Sequence, residues 1–298
     1  MAERKKLAII TTFWDWRSHA NHMGERFLVG YPRDGRWHRP DFDIVGAYVD
    51  QRDGDDDLSV HRAEEFDFTV YPTIAEALRL GGDQLAVDAV LLIAEHGDYP
   101  SNDKGQKLYP RFEFFSQIVD VFRASGRSVP VFNDKHLSYS FAKAQQMVDT
   151  AHDLGFPLMS GSSLPVTFRM PPIELDGHVD EALMIGVGGS DAMDYHALEA
   201  MQSMVERRQG GETGVRAVQL VEGEEVWRAG QDGRWSRRLL EGALARSDSR
   251  SGIALTDGRP QDLAHSDELE ELTENPSAYL IEYVDGLRAT LLMLNGAV

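Results

Sequence analysis

Histidines and carboxylates follow three apolar segments of the chain. His19 and His22 lie three residues apart, on one face if their segment is helical. Residues 95–98, "EHGD", follow a second apolar segment, and His136 in "NDKH" follows a third. Because the carboxyl ends of parallel strands meet at one edge of a sheet, we expect these side chains to surround one crevice.

Two kinds of site use such side chains. Imidazole and carboxylate groups together suit zinc or manganese, although ten histidines in 298 residues also produce these spacings by chance. The candidate metal ligands are His19, His22, His96 and His136. The alternative is a polar pocket that binds sugar hydroxyls directly, with Trp14 or Trp16 stacked on a pyranose face. The alternative also accounts for the tryptophans, so we assign no metal ligand.

Lys135 is a candidate catalytic residue because it follows the apolar segment "VPVF". A lysine at the end of a parallel strand points into the crevice and can act as a general acid or base or hold a substrate hydroxyl. A surface lysine on a loop is the structural alternative. Residues 95–115 form a long loop and then a helix, which predicts a lid or wall of the crevice.

Strand-like and helix-like segments alternate in the first half of the chain. Apolar segments predict strands at Lys6–Thr11, Asp43–Val49, Asp88–Ala94 and Ser128–Phe132. The helical segments between them include "TIAEALRL", in which Thr73 and Glu76 form a capping box. This alternation predicts an α/β domain with a doubly wound parallel sheet.

The second half has a different character. Prolines and small residues around Gly161 predict a boundary, with one domain at residues 1–161 and another at 162–298. The second contains strand-like segments, one clear helix and a hairpin signal at Asp285 and Gly286, which predicts a smaller α+β domain with a β-sheet. Residues 248–275 are polar and acidic, as expected of an excursion between elements.

Composition restricts the function classes. The formal charge is −19, from 49 acidic and 30 basic residues, which argues against nucleic-acid and membrane partners. The chain has no cysteine, so disulfides and thiolate metal sites are excluded. No segment has the length of a membrane span or the apolar stretch of a signal peptide, and we therefore expect a cytoplasmic protein.

Three segments follow one another along the chain: "VDAVLLIAEHGDYP", "VPVFNDKHLSYSFAKAQQMVDTAHDLGFPLMSGSS" and "GGSDAMDYHALEAM". Their order resembles that of the Gfo/Idh/MocA family of sugar and polyol oxidoreductases. In that family a Rossmann domain carries a Glu-Lys-Pro motif, and a C-terminal α/β domain carries a histidine on a helix. Here "NDKH" keeps the lysine as Lys135, and His196 matches the histidine. The resemblance implies a Rossmann-like first domain and, because the chain ends early, a shortened second one.

The dinucleotide fingerprint of the family, G-x-G-x-x-G-x-x-H, is altered in "TTFWDWRSH". Thr11, Phe13 and Trp16 stand at the three glycine positions, where a tight turn and a close approach to pyrophosphate are needed. Asp50 is the candidate acid for the ribose, but it lies 39 residues after Thr11. The cofactor would be NAD or NADP at a degenerate site. Its candidate binding residues are Thr11, Thr12, Phe13, Trp14, His19, Asp50 and His96.

The resemblance also implies roles for other residues. Lys135 and His196 would manage the substrate proton, and Asp194 or Asp191 would replace the family acid, whose position is Ala192. We take Asp194 as catalytic. The candidate substrate contacts are Trp16, Tyr99, Tyr109, Arg111, His136 and Asp191. The family associates through its second domain, which implies a homo-oligomer.

Three functions remain open. The first is an NAD(P)-linked oxidoreductase acting on a sugar or polyol-like substrate, which the resemblance implies. The second is a non-redox lyase, epimerase or isomerase that uses Lys135 and His196, with or without a metal. The third is a non-catalytic carbohydrate-binding subunit. The absent glycines favour the second, while the breadth of the resemblance places the first ahead.

Overall fold

A computed structural model describes residues 4–52, 57–174, 176–247 and 268–298. The chain divides into two compact units, Met1–Ser162 and Ser163–Val298. Residues 248–267, most of the predicted acidic excursion, lie outside the described residues. In the described part of the chain, no helix has the length and apolar character needed to cross a bilayer.

The first unit alternates strands and helices. Its elements are β1 (Lys5–Thr11), α1 (His19–Leu28), β2 (Tyr31–Arg33), β3 (Arg36–His38), β4 (Phe42–Val49), α2 (Ser59–Phe66), β5 (Thr69–Val70), α3 (Ile74–Arg79), β6 (Ala89–Ile93), α4 (Arg111–Ser125), β7 (Val131–Asp134), α5 (Phe141–Asp153) and β8 (Leu158–Gly161). Six strands form a parallel sheet in the order β5-β4-β1-β6-β7-β8, while β2 and β3 form a separate ribbon. This doubly wound order confirms the predicted fold class.

Both faces of β1 are buried, as its apolar sequence predicts. Ala8 and Ile10 pack in the cluster that contains residues of α3, α4 and α5, whereas Leu7 and Ile9 pack with α1 on the other face. The predicted helices form, and the hydroxyl of Thr73 accepts the N–H of Glu76 at the start of α3, as expected of a capping box.

The strand predicted at Ser128–Phe132 lies instead at Val131–Asp134. Pro130 has no N–H to contribute to a ladder, whereas Asn133 and Asp134 pair with Ser160 and Gly161 of β8. The sheet therefore extends through polar residues that a search for apolar segments excludes.

The second unit contains a mixed sheet with helices on both faces. Its elements are a short 3₁₀ turn (Leu164–Val166), β9 (Glu181–Gly186), α6 (Asp191–Val205), β10 (Val215–Glu222), α7 (Glu224–Gln231), α8 (Arg237–Leu244), α9 (Glu268–Leu272), β11 (Ser277–Tyr283) and β12 (Arg288–Met293). The strand order is β10-β11-β12-β9, with only β12 and β9 parallel. The predicted hairpin at Asp285 and Gly286 joins β11 to β12. The predicted α+β character of this half is confirmed.

Two helical glycines of the second unit give a matched test of its packing. A Cβ added to Gly230 in α7 would lie 2.3 Å from the ring of Trp235, which is 1% exposed, whereas a Cβ on Gly242 in α8 would meet nothing within 4 Å. We expect Gly230→Ala to lower the free energy of unfolding by about 1–3 kcal/mol through overpacking. Gly242→Ala should raise it by about 0.5–1 kcal/mol because alanine favours the helix. Urea unfolding of both variants checks this, and equal effects would contradict the packing described.

Candidate functional site

The carboxyl ends of β1, β6 and β7 lie side by side at one edge of the first sheet. Thr11 pairs with Ile93, and Leu92 pairs with Asn133. The hydroxyl of Thr12, just beyond β1, donates to the carbonyl of Glu95 at 2.7 Å. The residues that follow these three strands therefore meet, as the sequence predicts for a doubly wound sheet.

His19 and Asp134 form a short contact at this edge. Ser18 caps α1 by accepting the N–H of Asn21, which makes His19 the first helical residue. Nδ1 of His19 lies 2.5 Å from Oδ2 of Asp134, and the side chain of Asp134 is only 6% exposed. With Nδ1 assigned as the donor to the carboxylate, Nε2 is the nitrogen that can accept a proton. An imidazole oriented by a buried carboxylate is the usual arrangement of a general base.

His96 contacts His19 edge to face, with ring centroids 4.8 Å apart. Its Nε2 is buried and has no hydrogen-bond partner among the described residues, and its backbone has a left-handed φ of 70°. Burial lowers the pKa of His96 below its ordinary value, and the neighbouring His19 lowers it further. The His96 ring is therefore neutral at pH 7.

Arg111 holds a second group of polar side chains. Its side chain is 1% exposed, forms an ion pair with Glu95 and lies with Nη1 3.2 Å from Nε2 of His136. Because the guanidinium can only donate, Nε2 of His136 accepts. Burial raises the pKa of the Glu95 carboxyl, although Arg111 opposes that shift. The guanidinium also lies 5.1 Å from the ring centroid of Tyr109.

Lys135 lies in a tight turn at the end of β7. Its φ is 68°, and its backbone exchanges two hydrogen bonds with Gly161, at 2.9 and 3.0 Å. The fully buried amide of Asn133 donates to the carbonyls of Asp134, Lys135 and His136. Burial raises the pKa of Glu95 and lowers that of His96; the positive charge of Lys135 opposes the first shift and adds to the second, so its ammonium belongs to the same electrostatic cluster.

The candidate metal ligands do not converge into a metal site. Within the described residues, no group of three histidine or carboxylate side chains has positions that could hold a metal ion. His19 and His96 contact each other, while His136 is turned to Arg111. His22 is exposed on α1. The divalent metal considered from the sequence therefore has no support in the geometry.

Backbone N–H groups of the loop between β1 and α1 donate hydrogen bonds to acceptors within the protein. The hydroxyl of Thr11, at the end of β1, accepts the backbone N–H of Phe13. Hydrogen bonds within the loop, to the Ser18 cap or to the first turn of α1 engage the backbone N–H groups of Asp15, Trp16, Arg17 and Ser18. The acceptor for Trp16 is the carboxylate of Asp15, which adds a negative charge to this loop. Pyrophosphate binding at this position depends on free N–H groups, so these residues do not fit a dinucleotide held in the usual way.

The two tryptophans of this loop have different environments. Trp14 is 1% exposed and stacks on Phe68, with ring centroids 6.0 Å apart. Gly24 of α1 makes room for it, since an added Cβ would lie 2.9 Å from the indole. Trp16 is 67% exposed, so it alone of the pair has a ring face open to a sugar or a nicotinamide.

A second set of contacts lies over the end of β1. The carboxylate of Asp50, the predicted ribose acid, accepts hydrogen bonds from the hydroxyls of Tyr48 at 2.6 Å and Tyr99 at 2.7 Å. Gln51 makes two hydrogen bonds to the backbone of Asp98. Burial and the bond to Asp50 raise the pKa of Tyr99, which keeps its phenol a donor. These contacts join the loops after β4 and β6, which flank β1 in the sheet.

The remaining predicted residues belong to the second unit. Asp191 is the first residue of α6, and Asp194 accepts a hydrogen bond from the hydroxyl of Tyr279 at 2.6 Å. The ring of His196 lies against that of Tyr195, with centroids 5.5 Å apart. Lys135 and His196, which the resemblance pairs, thus belong to different units.

Sequence reasoning did not assign roles to Asp134, Asn133 and Gln51. Asp134 precedes Lys135 in "NDKH". Two features of the sequence could have indicated its role, namely a carboxylate at the end of a strand and a histidine, His19, at the start of a helix. Asn133 and Gln51 act on backbone groups brought near by folding, and they carry no local signal.

The pKa of His96 predicts a pH dependence of stability. The unfolded chain binds a proton on this histidine below about pH 6.5, while the folded protein resists it. The free energy of unfolding should therefore decrease as the pH falls from about 8 to about 5.5, and it should decrease less in His96→Gln. Urea unfolding at both pH values measures this, with His61→Gln on the exposed surface of α2 as the control. An identical pH dependence in wild type and His96→Gln would contradict the burial of the ring.

Comparison with solved structures identifies similar folds. A presumed dehydrogenase from Bordetella bronchiseptica RB50 is 16% identical with a TM-score of 0.52, and the match covers 98% of this chain and 60% of that one. GenD2 from gentamicin A biosynthesis, solved in complex with NAD, is 18% identical with a TM-score of 0.53, over 100% of this chain and 68% of that one. Myo-inositol 2-dehydrogenase from Lactobacillus plantarum is 14% identical with a TM-score of 0.47, over 99% and 71%.

These similarities concern the fold. No protein-family model and no curated protein sequence matches the chain. The chain spans 60% of the length of the Bordetella protein and 68% of that of GenD2. The resemblance predicted from the sequence is confirmed at this level, and the fold of the chain is that of the Gfo/Idh/MocA-type dehydrogenases.

Proposed function

We propose that this chain is an oxidoreductase-type enzyme that acts on a sugar or polyol-like substrate, with His19 as the general base. The observation that carries the proposal is the 2.5 Å contact between His19 and the buried carboxylate of Asp134 at the carboxyl edge of the sheet. This edge is where ligands bind in doubly wound folds. The fold shared with GenD2, a protein solved with NAD, supports the oxidoreductase type.

The chain's own residues supply the proton chemistry. Nε2 of His19 takes the proton of a substrate hydroxyl, and Asp134 stabilises the resulting imidazolium. The positive charge of Lys135 favours the alkoxide that forms on the substrate. The neutral ring of His96 borders His19 without adding a charge. In this proposal the principal base is His19, whereas the sequence analysis assigned the substrate proton to Lys135 and His196.

Other assignments belong to the same proposal. His196 and Asp194, on α6, take the substrate-side roles that the family resemblance implies. Trp16, Tyr99, Tyr109, Arg111, His136 and Asp191 stay the candidate substrate contacts. The second unit serves as the substrate and oligomerisation domain of a homo-oligomer.

A specific observation favours a second candidate function. The N–H groups of the loop after β1 are engaged by the protein, and Asp15 puts a carboxylate among them. A lyase, epimerase or isomerase needs the base but no dinucleotide. It would use His19 to remove a proton next to a carbonyl, with Lys135 stabilising the enolate.

Titration with NAD(H) and NADP(H) distinguishes the two candidates. We expect an oxidoreductase to bind one cofactor saturably in the micromolar range, measured by calorimetry and by the fluorescence of the exposed Trp16. Trp16→Phe removes that fluorescence signal and is the control for its source. Absence of binding at millimolar cofactor would remove the redox candidate and direct substrate screening to keto sugars.

The role of His19 has its own test. Once a sugar or polyol substrate is found, His19→Gln and Asp134→Asn should each lower kcat by about 10²–10⁴-fold, because proton transfer loses its base or its orientation. His22→Gln, on the exposed face of the same helix, is the matched control and should retain activity. An active His19→Gln variant would overturn the assignment, whichever reaction class holds.

A further inference from the structure

An apolar groove lies at the opposite edge of the same sheet. It has a volume of about 810 Å³ and occupies the face of the sheet on which α1 packs. Its floor is formed by Leu7, Leu91, Phe132 and Met159, and Met23 and Phe27 of α1 form one wall. The groove uses none of the residues assigned to the candidate functional site.

The topology explains why this face is open. Leu91 pairs with Phe132 and Phe132 with Met159, so side chains of β6, β7 and β8 point to the same side. Residues of α3, α4 and α5 pack on the opposite face, while α1 packs beside β1 and β4. Met159 is left 50% exposed. Apolar surface of this kind marks a binding site more often than chance, and the volume is that of a small-molecule pocket.

Basic residues lie at one end of the groove, in a chain whose formal charge is −19. Arg4, Lys5 and Lys6 all line it, together with Asp88, whose carboxylate accepts the backbone N–H of Lys6 and forms an ion pair with Arg127. The guanidinium of Arg4 is engaged by Asp43 and by the carbonyls of Pro40 and Phe42. The ammonium of Lys5 lies 5.8 Å from the ring centroid of Phe42, and in the described part of the chain no carboxylate forms an ion pair with it.

We propose that this groove binds a small amphipathic anion, a carboxylate with an unbranched apolar tail. The carboxylate pairs with Lys5, and the tail lies along the strip from Leu7 to Met159. Burial of the tail supplies the affinity, and the ammonium selects an anionic head over a cationic one. This site is independent of the proposed function, since it shares neither residues nor chemistry with His19 and Asp134.

Decanoate and decyltrimethylammonium are matched probes, because they share a tail length and differ in head charge. Calorimetry below the micellar concentrations of both should show saturable binding of decanoate and at least about tenfold weaker binding of the cation. Equal affinity for the two would overturn the anion selectivity. Absence of decanoate binding would overturn the site.

Two variants locate the bound decanoate. Lys5→Glu reverses the charge at the head position, and Met159→Glu puts a carboxylate in the half-exposed floor, so each should weaken decanoate binding by about tenfold or more. The controls are Lys104→Glu, on an exposed loop, and Val148→Glu, on exposed α5 surface. Circular dichroism confirms folding of each variant.

Two results would contradict the assignment. Unchanged decanoate affinity in folded Met159→Glu would place the bound molecule elsewhere. If wild type is an oligomer by light scattering and Met159→Glu is a monomer, a second copy of the chain occupies the groove and the small-anion proposal is wrong.

Discussion

The pairing of His19 with Asp134 is the interaction on which the carboxyl edge of the first sheet depends. A carboxylate that is 6% exposed is costly to bury unless a cationic or donor group meets it. His19 meets this requirement only if α1 begins at His19, and the cap formed by the Ser18 hydroxyl sets that start. The loop from Phe13 to Arg17 therefore brings the start of α1 to the end of β7.

Unusual backbone conformations occur at the same edge. His96 and Lys135 both have left-handed φ angles, which non-glycine residues adopt at a cost and which concentrate at functional sites. The amide of Asn133, with three carbonyl acceptors, and the paired backbone of Gly161 hold the turn at Lys135. The surrounding structure thus determines these conformations, and it fixes where the side chains of the cluster begin.

The sequence predicted the architecture better than the site. Apolar segments located β1, β4 and β6 because those strands are largely buried, and His96 and His136 follow strands at the carboxyl edge of the sheet, where the sequence predicted them. The same rule misplaced β7, whose last residues are Asn133 and Asp134. In a sequence, a buried carboxylate looks the same as an exposed one until its partner is known. The partner of Asp134 is His19, which lies 115 positions away.

The tryptophans show a different limit of sequence reasoning. In the alignment to the glycine pattern, Trp16 stands at a glycine position and Trp14 lies two residues before it in the same loop, yet Trp14 belongs to the core and Trp16 to the surface. The signal for the buried one was Gly24, ten residues later, whose missing side chain leaves room for the indole. That relation requires the loop and α1 to be folded, so spacing alone does not reveal it.

These features explain how a doubly wound fold can be stable with a loop after β1 that lacks the glycines of the family fingerprint. The free energy of folding comes from the strand cores on both faces of β1 and from the packing of Trp14 beneath α1, and neither involves a cofactor. In this loop the side chains of Asp15 and Asn21 accept the backbone N–H groups of Trp16 and Arg17. In doubly wound folds generally, the sheet constrains where ligands bind, at the carboxyl edge, far more tightly than it constrains which cofactor takes part.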